Sequence, residues 1–359
     1  MALIPSPKPY SLQIHKLPQY TYIDALRWLP HISTFTRHIL LATYDADSST
    51  SSLQTLISSP SQTIPSVALQ ASVSAPSRIA SLKVSPSQLA PSKPLIAAAT
   101  FSGSVLFYSA DLINESLNFE FSVPDKGFHS GAVSGIDLSE NGSECVSVGE
   151  DGRVNLVSLS GKRDFRRVFD SSGLVSYSSV KWASPVEFVT GAFGFGLHWW
   201  DQRKAGGPVA LFKNNWTGGI ASGIVHSIDI HPSRKHTCLA GGSSGIVVAW
   251  DIRWPKQPVM LSGVGAGDAA NSLVESDIWE VQYDNYTHSS KIINSSSSRV
   301  LPAMICSEDG ILAVIEQGEE PVELLAEPCA INSFDIDRQN PSDVICSLEW
   351  ESIAILTRP

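Results

Sequence analysis

Three histidines are spaced in a way that could place them around a metal ion. His226, His231 and His236 follow one another at intervals of five residues. On a strand, side chains an odd number of residues apart point to opposite faces, so His226 and His231 would diverge. Pro232 ends that strand, and His236 therefore lies beyond a turn. We accordingly expect structural histidines here and no metal site.

A glycine-rich segment and the abundant serines could indicate phosphate binding or nucleophilic catalysis. Residues 191–196 read Gly-Ala-Phe-Gly-Phe-Gly and follow a predicted strand. A phosphate-binding loop needs a helix directly after it, whereas residues 197–200 predict another strand. No combination of Ser, His and Asp stands in a context that is typical of a catalytic nucleophile. We therefore expect a protein that is not an enzyme, with no catalytic residues, no cofactor and no small-molecule ligand.

The composition excludes several classes of protein. Hydrophobic residues make up 43% of the 359 residues, which excludes a wholly disordered chain, and the low charged fraction of 17% favours half-buried strands. The net charge of −10 argues against direct nucleic-acid binding, because affinity for phosphates rests on clustered positive charge. No apolar run reaches the ~18 residues that a membrane span needs, so we expect no membrane insertion. Five cysteines without a Cys-x-x-Cys spacing fit a reducing interior.

A unit of three predicted strands recurs along the chain. In its clearest copy, residues 225–232 alternate in polarity, residues 238–245 are small and apolar, and residues 246–251 form a third strand. Six further copies begin at Ile23, Arg78, Ala132, Ser179, Ile278 and Ile331. The turn glycines Gly103, Gly152, Gly196, Gly245 and Gly310 lie 44 to 65 residues apart. A propeller blade needs ~40–45 residues, so the spacing fits a blade with loops of variable length.

This repetition predicts an all-β, seven-bladed propeller that spans residues 1–359 as a single domain. Residues 11–17 alternate in polarity before the first unit, and the last unit ends at Leu356 without a fourth strand. We expect the N-terminal strand to complete the last blade, because this pairing covers both exposed edges. Residues 45–76, 254–276 and 285–299 are rich in Ser, Pro, Gly or Ala, and we predict them to be surface insertions.

Several short motifs resemble those of WD40 repeats. Trp200-Asp201 and Trp250-Asp251 resemble the ending that names the family, and Glu-Asp-Gly at 150–152 and 308–310 resembles its turn before the third strand. The resemblance implies structural roles for these dipeptides, for Asp309, and for three members of the family's buried hydrogen-bond tetrad. Those three members are His129, Ser147 and Asp151. No unit contains all four tetrad residues, so each blade must rest more on apolar packing.

A closer resemblance covers nearly the whole chain. Residues 147–156, 277–281, 306–310 and 353–358, in this order, are similar to a WD40 nucleoporin of the Y-shaped outer-ring complex of the nuclear pore. The resemblance implies a non-enzymatic scaffold subunit that docks on α-solenoid nucleoporins and supports nucleocytoplasmic transport. Its partners would be other nucleoporins of that complex, and its location the nuclear pore in the nuclear envelope.

One motif supports a different function. Trp200-Asp201-Gln202-Arg203 and Trp250-Asp251-Ile252-Arg253 both read Trp-Asp-x-Arg. This pattern resembles the signature of WD40 substrate receptors for cullin-type ubiquitin ligases, in which the arginine helps to dock the adaptor. An arginine at a strand end is equally explained as one half of an exposed ion pair worth ~0–1 kcal/mol. Arg203 and Arg253 are therefore candidate interaction residues for the alternative function of a substrate receptor.

Overall fold

The computed structural model describes residues 11–59, 66–85, 92–123, 127–161, 163–213, 223–254, 258–262, 273–290 and 300–359. Their backbone forms 28 strands, one short helix, α1 (Asn285–Ser290), and a single 3-10 turn at Ser243–Gly245. Neither helical segment in these ranges has the length and apolar character that crossing a membrane requires.

The strands form seven antiparallel sheets of four strands, and each sheet is one blade of a propeller, as the sequence predicts. From the central axis outward, blades 1 to 3 contain β2 (Tyr22–Trp28), β3 (Arg37–Asp45), β4 (Thr50–Ser58) and β5 (Val67–Ala75); β6 (Ile79–Ser85), β7 (Leu95–Thr100), β8 (Val105–Asp111) and β9 (Ser116–Ser122); and β10 (Gly135–Leu138), β11 (Glu144–Val148), β12 (Arg153–Ser158) and β13 (Phe165–Asp170). Blades 4 and 5 contain β14 (Tyr177–Ser184), β15 (Glu187–Ala192), β16 (Gly196–Asp201) and β17 (Ala210–Lys213); and β18 (Val225–Ile230), β19 (Thr237–Gly242), β20 (Val247–Asp251) and β21 (Val259–Ser262). Blades 6 and 7 contain β22 (Ile278–Tyr283), β23 (Ala303–Ser307), β24 (Ile311–Ile315) and β25 (Val322–Ala326); and β26 (Ile331–Ile336), β27 (Asp343–Leu348), β28 (Ser352–Thr357) and β1 (Gln13–Pro18).

The hydrophobic core lies mainly between neighbouring blades. One cluster joins Leu239 and Val247 of blade 5 to Ile278, Val281 and Ile305 of blade 6. Burying such a side chain contributes about 1.5–3 kcal/mol, so a blade gains most of its stability from its neighbours. Because each blade leaves an apolar face uncovered by itself, the seven sheets have to close into a ring.

The ring is closed by the N-terminal strand. β1 pairs antiparallel with β28, with Ile14 opposite Leu356 and Leu17 opposite Ile353. An ion pair of 2.5 Å between the Lys16 Nζ and Glu327 Oε1 atoms adds a contact to blade 6. The prediction that this segment completes the last blade is confirmed. That residues 1–359 form a single domain remains a prediction.

The predicted insertion at 45–76 is wrong for most of its length. It contains β4 and β5, the third and fourth strands of blade 1. The serine content is misleading because small polar residues fit a strand whose backbone is paired, and Leu53 and Leu56 are buried between them. In 254–276, β21 is likewise the outer strand of blade 5. Residues 285–290 form α1, whereas 60–65, 255–257, 263–272 and 291–299 lie outside the described residues.

Antiparallel pairing gives the propeller two distinct faces. We call the upper face the turns between second and third strands together with the connections from each blade to the next. Its described residues are 19–21, 46–49, 76–78, 101–104, 123, 127–134, 149–152, 171–176, 193–195, 223–224, 243–246, 273–277, 308–310, 327–330 and 349–351. The lower face consists of the other connections, at 29–36, 59, 66, 92–94, 112–115, 139–143, 159–161, 163–164, 185–186, 202–209, 231–236, 252–254, 258, 284–290, 300–302, 316–321 and 337–342.

Candidate functional site

Blade 3 brings three of the predicted WD40 residues together. His129 Nδ1 lies 3.0 Å from Asp151 Oδ1, and His129 Nε2 lies 3.1 Å from Ser147 Oγ. Burial raises the pKa of Asp151, but hydrogen bonds from His129 and from the Ser130 backbone N–H outweigh this and lower the pKa to about 2. The carboxylate therefore stays ionised and holds the turn before β12. The general WD40 role of these residues remains a prediction.

Two further residues that the sequence analysis missed complete this network. Asn155 Nδ2 donates to His129 Nε2 at 3.0 Å and to the Phe128 carbonyl at 3.2 Å. Because Nε2 accepts this bond, the histidine proton lies on Nδ1 and is donated to Asp151. Arg167 Nε in turn donates to Asn155 Oδ1 at 2.6 Å. The signal for Asn155 was an amide inside the apolar strand β12, where a buried polar group requires partners.

Blade 4 uses a different combination of residues. Trp200 Nε1 donates to Thr190 Oγ1 at 3.0 Å, and the Tyr177 hydroxyl lies 3.3 Å from His198 Nδ1. Trp200 and Thr190 are fully buried in blade 4. The predicted tryptophan thus forms a hydrogen bond between the third and second strands, although Asp201 takes no part in it.

The remaining predicted WD40 positions are divided between two blades. In blade 6, Ser307 Oγ donates to Asp309 Oδ1 at 2.5 Å, which fixes the turn before β24. In blade 5, Trp250 is buried, but its Nε1 has no hydrogen-bond partner among the described residues. Its contribution there is apolar packing, for example against Phe212 at 6.3 Å between ring centroids.

Both arginines of the Trp-Asp-x-Arg motifs bind the aspartate of their own motif. Arg203 Nε donates to Asp201 Oδ1 at 2.8 Å, and a second nitrogen donates to Oδ2 at 2.8 Å. Arg253 Nε donates to Asp251 Oδ1 at 2.9 Å, and a second nitrogen donates to Oδ2 at 2.5 Å. The two arginine side chains are 65% and 58% exposed, on the lower face of neighbouring blades. They are therefore accessible but already paired.

The three histidines do not converge. His226 Nε2 lies 3.1 Å from Asp277 Oδ2, which connects blade 5 to the residues before β22. His231 Nδ1 accepts from the backbone N–H of Ser233 at 3.2 Å, and His236 is exposed. In the part of the chain that the structure describes, no group of three or more His, Cys, Asp or Glu side chains could hold a metal ion.

The glycine-rich turns also have structural roles. Residues 193–195 connect β15 to β16, with Gly194 at a φ of +79° and Phe195 fully buried. Residues 241–245 match a Gly-x-Ser-x-Gly pattern that the sequence analysis did not consider. A nucleophilic serine of that type sits between a strand and a helix, whereas β20 follows here and Ser243 Oγ accepts from the Ile224 N–H at 3.0 Å.

The inner strands line a central channel with paired charges. A cavity of about 910 Å³ lies along it. Arg27 binds Glu280 through two nitrogens, at 2.7 and 3.2 Å, and so joins blades 1 and 6. Lys181 Nζ lies 3.3 Å from Asp229 Oδ1. Burial, with the nearby charges of Arg27 and Lys181, lowers the pKa of Lys83 to about 8.

Channel carboxylates also bind the backbone of the next blade. Three of them each accept a backbone N–H from the following inner strand, at 2.8 to 2.9 Å: Asp137 from Trp182, Asp229 from Tyr283, and Asp335 from Trp28. A buried carboxylate that accepts such bonds fixes the position of one strand against another. These channel groups therefore hold the ring together.

Comparison with known proteins identifies the family. No protein-family model matches the chain. The chain is 56% identical to the nuclear pore complex protein NUP43 of Arabidopsis thaliana over 361 aligned positions, which cover 97% of this chain and 98% of that protein. It is also 28% identical to mouse nucleoporin Nup43 and 26% identical to the human protein, over 60% of this chain and 52% of each of those proteins. The resemblance to a propeller nucleoporin and the expected location at the nuclear pore are thus confirmed, and the chain belongs to the NUP43 family of nuclear pore complex proteins.

Proposed function

We propose that this protein is a non-enzymatic scaffold subunit of the nuclear pore complex. It docks on α-solenoid nucleoporins of the Y-shaped outer-ring complex and in this way supports nucleocytoplasmic transport. The observation that carries the proposal is the 56% identity to a nuclear pore complex protein over nearly the full length of both chains.

The use of polar residues within the propeller supports a scaffold. Arg27 is bound by Glu280, Lys181 by Asp229, and His129 by Asp151. Each of these groups connects strands or blades. Chemistry on a substrate requires acids, bases or donors that converge on a reacting atom, whereas these groups converge on each other. Function then belongs to the outer surfaces.

The test is affinity purification of the tagged protein from its own cells, followed by mass spectrometry. We expect outer-ring nucleoporins to be recovered in amounts comparable to the tagged chain. Recovery of a cullin and its adaptor without nucleoporins would contradict the proposal. An exposed loop variant such as Glu319→Gln serves as the matched control for tagging and expression.

The second candidate function is a substrate receptor of a cullin-type ubiquitin ligase. The observation in its favour is that Arg203 and Arg253 are both exposed on the lower face of adjacent blades. We predict that Arg203→Ala combined with Arg253→Ala leaves nucleoporin recovery within threefold of wild type. An interface arginine can contribute 2 kcal/mol or more, so a receptor would lose its adaptor in the same variant. Loss of an adaptor from a folded double variant that retains no nucleoporins would favour the receptor.

A further inference from the structure

Charge is divided unequally between the two faces of the propeller. Among the described residues of the upper face, seven exposed side chains are carboxylates and none is Lys or Arg. These carboxylates are Asp47, Glu150, Glu275, Glu308, Asp309, Glu349 and Glu351. The described lower face has eight exposed Lys or Arg side chains and five exposed carboxylates. The upper face therefore attracts cations, whereas the lower face does not.

Two large aromatic side chains are exposed at one corner of the upper face. Tyr20, between β1 and β2, is 81% exposed, and Trp350, between β27 and β28, is 66% exposed. The backbone N–H groups of Gln19 and Tyr20 both donate to the Glu351 carbonyl, at 2.8 and 3.2 Å, so the two turns are joined. We call residues 19–20 and 349–351 the closure corner. It combines exposed apolar surface with two exposed carboxylates, Glu349 and Glu351.

The fold gains little from the side chains of this corner. Tyr20 has a φ of +58° and Glu351 a φ of +55°, a region that residues with a side chain rarely adopt. Four fifths of the Tyr20 side chain is exposed, so burial does not compensate for this conformation. Bulky and charged residues at such positions are more readily explained by a partner than by the propeller itself.

The channel mouth beside the corner adds a carboxylate with spare capacity. Asp24 Oδ1 accepts from Arg78 Nε at 2.7 Å, whereas Asp24 Oδ2 is buried and has no hydrogen-bond partner among the described residues. The Asp24 side chain is 5% exposed and lines a cavity of about 120 Å³. Burial raises the pKa of Tyr22, and the charges of Asp24 and Glu349 raise it further, so Glu349 acts electrostatically at the same mouth.

We propose that the upper face docks a segment rich in Lys and Arg from another protein subunit, with the closure corner as its anchor. This inference deepens the scaffold function and rests on it. Carboxylates pair with guanidinium and ammonium groups, and the faces of Tyr20 and Trp350 attract the same cations. The long aliphatic parts of Lys and Arg also pack on aromatic rings. An acidic or phosphorylated segment would instead meet seven exposed carboxylates.

The first test measures binding of a defined probe to the full chain. The probe is a fluorescein-labelled peptide of alternating Lys and Leu, and its counterpart has Glu in place of every Lys. Fluorescence anisotropy should show binding of the basic peptide only. We expect Tyr20→Asn with Trp350→Ala, or Glu349→Gln with Glu351→Gln, to weaken binding by about tenfold. Affinity should also fall between about 0.05 and 0.3 M salt, because the salt screens the carboxylates.

Matched variants on the lower face control for general charge and hydrophobicity. Phe35→Ala with Trp254→Ala removes similarly exposed aromatic side chains, and Glu319→Gln with Glu320→Gln removes the same charge. Each control should leave the affinity within twofold of wild type. Equal weakening by upper-face and lower-face variants would overturn the proposal, as would equal binding of the acidic peptide. Circular dichroism of every variant establishes that the propeller is folded.

The second test uses the complex purified from cells. A carbodiimide couples carboxylates directly to lysine amines that contact them, and mass spectrometry identifies the linked residues. We expect Glu349 or Glu351 to be coupled to lysines of a partner subunit. If nucleoporins co-purify but all partner links involve lysines of the lower face, such as Lys93, Lys204 and Lys235, the docking surface is wrong and the scaffold function stands. If no nucleoporins co-purify, the scaffold function fails, and with it the docking surface that rests on it.

Discussion

The ion pair between Arg358 and Asp284 permits a quantitative test of how the end of blade 7 is held. One Arg358 nitrogen lies 2.6 Å from Asp284 Oδ2, and another lies 3.1 Å from Oδ1. The arginine side chain is 4% exposed and the aspartate side chain is fully buried. The guanidinium carbon also lies 4.4 Å from the centre of the Tyr286 ring. The pair thus joins the residue after β28 to the residue after β22.

We predict that Arg358→Met destabilises the protein by about 3–5 kcal/mol. Removing one partner of a buried ion pair costs this much because the other charge is left in a poorly solvated site. Asp284 would keep hydrogen bonds from the Tyr286 N–H at 3.1 Å and the Thr287 hydroxyl at 2.6 Å, which places the loss toward the lower end. At ~2–4 °C per kcal/mol for a large domain, the midpoint of thermal unfolding should fall by about 6–12 °C.

The assay is thermal unfolding followed by circular dichroism, with Arg338→Met as the control. Arg338 is an exposed arginine of the lower face, and its replacement should change the midpoint by less than about 1–2 °C. Arg358→Met combined with Asp284→Asn should be less destabilised than the sum of the two single variants, since neither charge is then left unpaired. A loss below about 1 kcal/mol for Arg358→Met, or strict additivity in the double variant, would refute the reasoning.

Three further predictions concern ring closure and pH. Deleting residues 1–17 removes a strand with six paired residues, whose hydrogen bonds at ~0.5–1.5 kcal/mol each are comparable to a whole stability of ~5–15 kcal/mol, so size-exclusion chromatography should show aggregation; a monomer with an unchanged melting midpoint would exclude closure by β1. The lowered pKa of Asp151 gives stability that is present above about pH 4 and lost as the pH falls toward about 2; Asp151→Asn should remove about 2 kcal/mol of this pH dependence in acid titrations, and an unchanged profile would contradict the network. The lowered pKa of Lys83 means that the unfolded chain binds more protons above about pH 8; Lys83→Met should therefore raise the melting midpoint at pH 7 and less so near pH 10, and an equal effect at both would contradict the assignment.

The propeller itself could be predicted because strands leave a local signal. Alternation in residues such as Val225, Ile228 and Ile230 has a period that only a strand satisfies, and seven copies define the ring. The error at residues 45–76 arose from composition. Ser51, Thr55 and Ser58 are buried in β4, where the paired backbone makes their small polar side chains compatible with a sheet. Alternation around Leu53 was the better guide.

The polar contacts could be predicted only where they are local or follow a known motif. His129 and Asp151 are 22 residues apart, and the motif places them correctly. Arg27 and Glu280 are 253 residues apart, and they meet only because the closed ring brings blades 1 and 6 across the channel. No spacing along the chain encodes that distance. Asn155 was missed for a different reason, since it replaces no position that the motif specifies.

The incomplete tetrads are compensated by contacts between blades. Blade 5 buries Trp250 without a hydrogen bond to its indole, and no single blade repeats the network of blade 3. In their place, Asp229 and Asp335 each accept a backbone N–H from the next blade, at 2.9 and 2.8 Å. A blade held by its neighbours can vary its own turns at little cost to the ring. This independence of turn and ring allows one face to accumulate carboxylates while the other remains mixed, which is the asymmetry that a directional scaffold requires.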